Sequence, residues 1–255
     1  MLPYVIGNWK MYKTEQQAVQ YVEELLPLVR ECGAHLMLAV PYTAIHPVAQ
    51  CEREGKLAVG AQNMHDAREG AFTGEIAASM LKEAGATFVL IGHSERRRLF
   101  HESLEVIHKK ILAAFREEIL PILCVGETLE EKEAGKEREV LREQLFSALE
   151  GVHLERSDQL LIAYEPVWAI GTGKTAEPNQ VGETHAYLRS LLSERFGEVL
   201  SQEIAILYGG SVQVQSAETL MGEKEVNGLL VGGASLDPKT FAAIAACCVK
   251  IRKHS

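Results

Sequence analysis

YEPVWAIGTGKTA, residues 164–176, decides between two folds. Gly171, Gly173 and Ala176 satisfy the spacing G-x-G-x-x-A, which would make the chain a doubly wound, dinucleotide-binding sheet. That fingerprint follows its strand directly. Here residues 165–170 intervene after Tyr164, and Pro178 opens the next helix. Gly173-Lys174-Thr175 would end a Walker loop only with glycine at position 168, and that position is Trp168. With both nucleotide readings failing, the stretch reads as a strand end, an acid (Glu165) and a lid over a site. The lid is Pro166, Val167, Trp168, Ala169, Ile170, Gly171, Thr172, Gly173 and Lys174. Residues 165–167 and 174–176 are its hinges. Its apolar middle would exclude water on closing, and Gly171 and Gly173 let backbone amides approach an oxyanion.

Working outward, short apolar runs recur along the chain at 4–7, 36–40, 57–61, 88–91, 121–125, 160–164, 204–208 and 228–231. They are nearly continuous in hydrophobicity, the mark of strands covered on both faces. Amphipathic stretches of helical period lie between them, at 16–30, 104–115, 139–149, 181–195, 216–221 and 238–248. Strict alternation of strand and helix implies parallel strands joined by crossovers. Eight units in 255 residues predict one (β/α)8 barrel domain over 1–255, with an open doubly wound sheet as the alternative. The charged run 130–142 reads as a solvated helix face.

Hydrophobic residues make up 47% and charged residues 24% of the chain, the balance of a globular protein with a sizeable core. The net charge of -9 disfavours nucleic acid and anionic membranes as partners, but not a small anion at a locally positive site. No apolar run reaches membrane-spanning length, and the N-terminus lacks the pattern of a signal peptide. The five cysteines, Cys32, Cys51, Cys124, Cys247 and Cys248, are odd in number and irregular in spacing. Reduced thiols in a cytoplasmic protein are therefore expected.

In such a barrel the chemistry sits at the C-terminal ends of the strands. Those ends carry Asn8 and Lys10, Gln62 and Asn63, His93 to Glu95, Cys124 to Glu127, Glu165, Gly209 to Ser211, and Gly232 with Gly233. Polar residues from distant parts of the chain thus converge on one rim. Glu165 reads as a general base, since a carboxylate beneath an apolar cover loses hydration and gains proton affinity. His93 reads as an acid or electrophile, and Lys10 as fixed positive charge for an anionic substrate. The glycine pairs 209–210 and 232–233, with Ser211, suit a phosphate site after strands seven and eight. No H-E-x-x-H, carboxylate triplet or Cys/His cluster occurs, so neither metal nor cofactor is expected. Acid, base and cation around a small phosphate suit proton abstraction beside a carbonyl. A Schiff-base aldolase acting through Lys10, and a phosphate-binding barrel without catalysis, remain alternatives.

GNWKM (7–11), GAQN (60–63), GAFTGE (70–75), IGHSERR (91–97), YEPVWAIGTGKTA (164–176), YGGSV (208–212) and LVGGASL (230–236) together resemble the triosephosphate isomerase family, in order from residue 4 to about 245. The resemblance implies interconversion of dihydroxyacetone phosphate and D-glyceraldehyde 3-phosphate through an enediolate. It implies Glu165 and His93 as the acid–base pair, and Lys10 and Asn8 as stabilisers of negative charge. Gly171, Ser211, Gly232 and Gly233 would hold the phosphate, with Glu95 and Cys124 as supports behind. It also implies a homodimer in which Thr73, on loop 64–75, reaches the Asn8, Lys10 and Glu95 region of a second copy. Tyr12 and the loop tip at 64–68 depart from the common pattern.

Overall fold

The computed structural model describes residues 1–52, 55–170 and 176–252. Eight strands, β1 (Tyr4–Asn8), β2 (His35–Val40), β3 (Leu57–Ala61), β4 (Phe88–Ile91), β5 (Leu120–Val125), β6 (Leu161–Tyr164), β7 (Ala205–Tyr208) and β8 (Gly228–Val231), form a closed barrel in sequence order. Every neighbouring pair is parallel. The seam closes where Tyr4 to Gly7 of β1 lie in register with Gly228 to Val231 of β8. The strands match their predicted positions to within a residue at either end.

The ring outside comprises α1 (Glu15–Val29), α2 (Tyr42–Cys51), α3 (Ala78–Glu83), α4 (Ser94–Leu99), α5 (Leu104–Arg116), α6 (Leu129–Glu133), α7 (Glu137–Ala148), α8 (Pro178–Phe196), α9 (Glu198–Glu203), α10 (Val214–Gly222) and α11 (Pro238–Arg252). The six amphipathic stretches of the sequence correspond to α1, α5, α7, α8, α10 and α11. Missing from that reading were α2, α3, α4 and α9, while α6 falls in the charged run 130–142 that reads as a solvated helix face. Pro41 precedes α2 and Pro47 interrupts it, while α3, α4, α6 and α9 have only five or six residues each, too few to show a period.

Alternating strand residues divide the core into two layers. Ile6, Met37, Ala39, Phe88, Leu90, Ile122, Cys124, Leu161, Ala163, Ala205, Leu207 and Leu230 fill the barrel interior. Their neighbours along each strand face the helices and form the larger outer layer, with Val22 and Leu25 of α1, Ile107 and Ile111 of α5, and Leu188 and Leu192 of α8. The barrel is therefore a packed plug, not a pore. Its widest filler, Phe88, needs the space over Gly60, where a Cβ would lie 2.5 Å from the ring. This double burial explains why the strands read as unbroken apolar runs. Among the described residues no helix is long and apolar enough to cross a membrane.

Candidate active site

The site lies at the C-terminal rim, where each strand hands over to a loop. A cavity of about 280 Å³ is lined there by Asn8, Lys10, His93, Glu165, Ile170, Gly209 to Gln213, Leu230 and Gly232 to Ala234. Seven of the eight predicted catalytic and binding positions, Asn8, Lys10, His93, Glu165, Ser211, Gly232 and Gly233, thus line one space. Gly171, Thr172, Gly173 and Lys174 fall outside the described residues.

Glu165 follows β6 directly and is almost completely buried. Its amide donates to Val125 O at 2.8 Å, which fixes the chain at the β5–β6 seam. Gly126 must be glycine there, because a Cβ would come within 1.8 Å of Glu165 O. The carboxylate is held by one oxygen only. Oε2 accepts from the Ser94 amide at 2.9 Å. Oε1 lies 3.0 Å from His93 Nε2, but without hydrogen-bond alignment, so among the described residues it has no hydrogen-bond partner. A buried carboxylate oxygen without a partner is costly in an ordinary core; at a cavity wall it is poised for a ligand atom.

His93 caps the start of α4. Its Nδ1 accepts from the Glu95 amide at 3.2 Å and so carries no proton. The neutral ring consequently bears its proton on Nε2, the nitrogen facing Glu165 and the cavity.

Lys10 sits in the left-handed region at φ 53. Asn8 Oδ1 accepts its amide at 3.0 Å and Gln62 Nε2 donates to its carbonyl at 2.8 Å, so the turn is held from both sides. With its oxygen so occupied, the Asn8 carboxamide keeps its NH2 group to donate. Lys10 Nζ donates to Glu95 Oε1 at 2.6 Å. Burial works against the charge of Glu95, but the Lys10 ammonium beside it, with Arg98, holds its carboxyl below the usual range. Glu95, expected as a support behind the site, is thus the hydrogen-bond and ion-pair partner of Lys10. Cys124 lies inside the barrel, its thiol pushed well up first by burial and then by the nearby Glu165 carboxylate. Its carbonyl accepts from the half-buried Arg97 guanidinium at 3.0 Å, which also donates to Gly92 O and so clamps the ends of β4 and β5.

The described part of the stretch expected to be a lid, Pro166 to Ile170, contains a 3-10 turn at Val167–Ala169. Ala169 is buried and Ile170 faces the cavity. Trp168 Nε1 donates to Glu127 Oε1 at 2.7 Å, and the Tyr164 hydroxyl donates to the same oxygen at 3.0 Å. Lys132 Nζ lies over the indole, 3.5 Å from its centroid. Glu127 therefore ties Trp168 to the end of β6. Burial raises its proton affinity, only partly offset by the hydrogen bonds from Trp168 and Tyr164. The sequence placed Glu127 among the strand-end residues but assigned it no role. Its partners are an aromatic at the end of the next strand and one in the stretch expected to be a lid, and no local spacing connects them.

Thr73 stands on an exposed loop away from its own chain's cavity. A second recess of about 300 Å³ adjoins the first over Asn8, Lys10 and His93, and is walled by Met11, Tyr42, Gln62, Asn63, Glu95, Arg96 and Phe100. Met11 and Phe100 on its rim are 93% and 62% exposed.

With this geometry in hand, comparison with known proteins is decisive. The profile of the family "Triosephosphate isomerase" matches residues 3–248. The chain belongs to the triosephosphate isomerase family. It is 49% identical over 243 residues to the triosephosphate isomerase of Protochlamydia amoebophila (95% of this chain, 92% of that protein). It is 46% identical over 253 residues to that of Symbiobacterium thermophilum (98% of each). The crystal structure of triosephosphate isomerase from Bartonella henselae is similar with a TM-score of 0.89 at 36% identity, covering 97% of this chain and 99% of that one. The family and the closed eight-stranded barrel expected from the sequence both stand. The open-sheet alternative is set aside by the β1–β8 pairing.

Proposed function

We propose that this chain interconverts dihydroxyacetone phosphate and D-glyceraldehyde 3-phosphate, the reaction of glycolysis and gluconeogenesis that its family carries out, with Glu165 as base and His93 as electrophile. Glu165 Oε1 takes a proton from the carbon next to the carbonyl, while His93 Nε2–H polarises the carbonyl oxygen. The resulting enediolate is stabilised by the Lys10 ammonium and the Asn8 carboxamide. His93 moves protons between the two oxygens, and Glu165 returns its proton to the neighbouring carbon. The phosphate binds across the cavity at Ser211, Gly232 and Gly233; Gly171, the fourth expected phosphate contact, lies outside the described residues. Trp168 and its neighbours keep water from the enediolate and so prevent loss of phosphate. The reaction is an internal, redox-neutral proton transfer, which requires neither cofactor nor metal.

The observation that carries this reading is Oε1 of Glu165, without a hydrogen-bond partner among the described residues and held 3.0 Å from a neutral imidazole at the wall of a cavity that also contains a lysine and the glycine pair. The Lys10 ammonium is engaged by Glu95, which favours an electrostatic role over the Schiff-base alternative. The apolar-rimmed recess beside the site favours a homodimer in which Thr73 of a second copy completes that wall, in a cytoplasmic protein. A coupled assay with dihydroxyacetone phosphate and no added metal tests the whole: turnover is expected, and folded but inactive protein refutes it. Borohydride trapping of substrate on Lys10 would instead establish the aldolase reading.

A further inference from the structure

The loop from β1 to α1 delivers Lys10 to the cavity, yet its backbone is left-handed at two non-glycine positions, Lys10 (φ 53) and Lys13 (φ 73). Lys10 is held by Asn8 and Gln62. Lys13 is held by its own side chain. Its Nζ donates to Leu236 O at 2.8 Å and lies 4.7 Å from the Tyr21 ring centroid and 5.4 Å from that of Trp9. Trp9 and Tyr21 are buried and pack edge to face at 4.8 Å, so the ammonium rests on a rigid aromatic platform.

Leu236 ends the 3-10 turn Gly233–Leu236, whose first residue lines the cavity. The preceding carbonyl of that turn, Ser235 O, accepts from the Tyr21 hydroxyl at 2.7 Å. Ser235 in turn donates to Gly232 O through its amide at 2.8 Å and its hydroxyl at 2.7 Å. Two adjacent carbonyls at the far end of the turn are thus pinned from outside while its near end faces the cavity. A cation suits those carbonyls, which carry the negative end of the turn's aligned dipoles. Burial lowers the proton affinity of Lys13 more than Asp237 and Glu24 raise it, as expected for an ammonium placed against two rings.

We propose that Lys13 is a positioning residue for the phosphate site: fixed on Trp9 and Tyr21, its ammonium ties the β1 loop to the 232–236 turn, so that the Lys10 ammonium and the Gly232–Gly233 backbone address the two ends of one bound triose phosphate. The proposal rests on the assignment of Gly232 and Gly233 as phosphate ligands made above. It explains why a lysine occupies a left-handed position where glycine would be free of strain. Lys13 touches neither substrate nor reacting atoms; it acts across the barrel seam, through the turn.

The test compares Lys13→Met, Lys13→Gly, Lys13→Arg and Tyr21→Phe by KM and kcat for dihydroxyacetone phosphate, by the inhibition constant of inorganic phosphate, and by Tm. Lys13→Met is expected to raise KM and the phosphate inhibition constant together by about tenfold, equivalent to about 1.4 kcal/mol, with kcat within about twofold. Tyr21→Phe, which cuts the second tether without altering the loop, moves both constants the same way. Lys13→Arg, able to reach the same carbonyl, restores both. Lys13→Gly relaxes the backbone and so keeps or raises Tm while still raising KM, a split that a merely structural lysine does not produce. Wild-type KM and phosphate inhibition in Lys13→Met overturn the proposal alone. A wild-type enzyme that inorganic phosphate does not inhibit competitively overturns the phosphate-site assignment, and the proposal with it.

Discussion

Gly126→Ala puts the seam between β5 and β6 to the test. A Cβ there would lie 1.8 Å from Glu165 O and 2.7 Å from its carbonyl carbon, against about 3.4 Å for ordinary contact. Some 1.6 Å of separation, the difference of those two distances, must be created. Gly126 cannot readily supply it. Its amide donates to Gln144 Oε1 at 2.9 Å and its carbonyl accepts from Gln144 Nε2 at 3.0 Å, so α7 grips it from both sides. The displacement therefore falls on Glu165, whose amide bond to Val125 O must stretch and whose carboxylate leaves the Ser94 amide and His93. A shift of about 1 Å in a reacting group costs about a hundredfold in rate, so kcat/KM is expected to fall at least that far, about 2.7 kcal/mol. The overpacking itself costs about 1–3 kcal/mol of stability. The coupled assay and a thermal melt read the two effects separately. Gly222→Ala, whose Cβ meets nothing within 4 Å, controls for the substitution and is expected to leave kcat/KM unchanged. Folded Gly126→Ala protein with kcat/KM within about threefold of wild type would refute the reasoning, because the carboxylate would then tolerate a displacement that a positioned base does not.

Glu165→Asp draws the carboxylate back from the cavity while leaving the phosphate wall intact, so kcat is expected to fall by about 10² or more with KM nearly unchanged in steady-state kinetics. Glu127→Gln keeps an oxygen for Trp168 and Tyr164 but removes the buried charge. The folded state raises the proton affinity of Glu127, so the native chain binds the extra proton and wild-type stability falls as pH rises from the ordinary carboxylate range through the raised value. Melts of Glu127→Gln should therefore gain on wild type as pH increases from about 4 to 7; parallel curves would contradict this. His185, fully buried, has its pKa pushed down by burial from 6.5 to about 3. Here the unfolded chain binds the proton first, so stability is present above pH 6.5 and lost on acidification, by about 2 kcal/mol at pH 5. Denaturant titrations of wild type and His185→Gln at both pH values measure the difference, and equal acid sensitivity of the two proteins would count against it.

What was legible in the sequence follows from the range over which each signal acts. β4 and β8 are apolar throughout because one face meets the barrel interior and the other the helices, and that double burial is written into four consecutive residues. α5 shows its stripe because thirteen residues complete more than three turns. In α6 none of the residues is buried, so there is no stripe to find. The rim residues were visible for a related reason: polar side chains at the ends of apolar strands are anomalous within their own neighbourhood. Glu165 and His93 needed only their own position and type to be noticed.

The roles that stayed hidden belong to residues whose meaning lies in a partner far along the chain. Gly126 is indispensable only because residue 165 passes within touching distance of it. Glu127 matters through Tyr164 and Trp168, 37 and 41 positions away. Lys13 matters through a carbonyl 223 positions away, across the seam that closes β8 onto β1. Barrel closure creates these pairings, and a single sequence carries no trace of them. The consequence is physical as well as methodological. A rim residue whose chemistry is local can be exchanged with an effect confined to one step, whereas a seam residue links two loops and disturbs every group those loops carry. Substitutions at Gly126 and Lys13 should accordingly show coupling energies with Glu165 and Tyr21 in double-mutant cycles, while Glu165 and Lys13, of which only Glu165 lines the cavity, should be additive within about 0.5 kcal/mol.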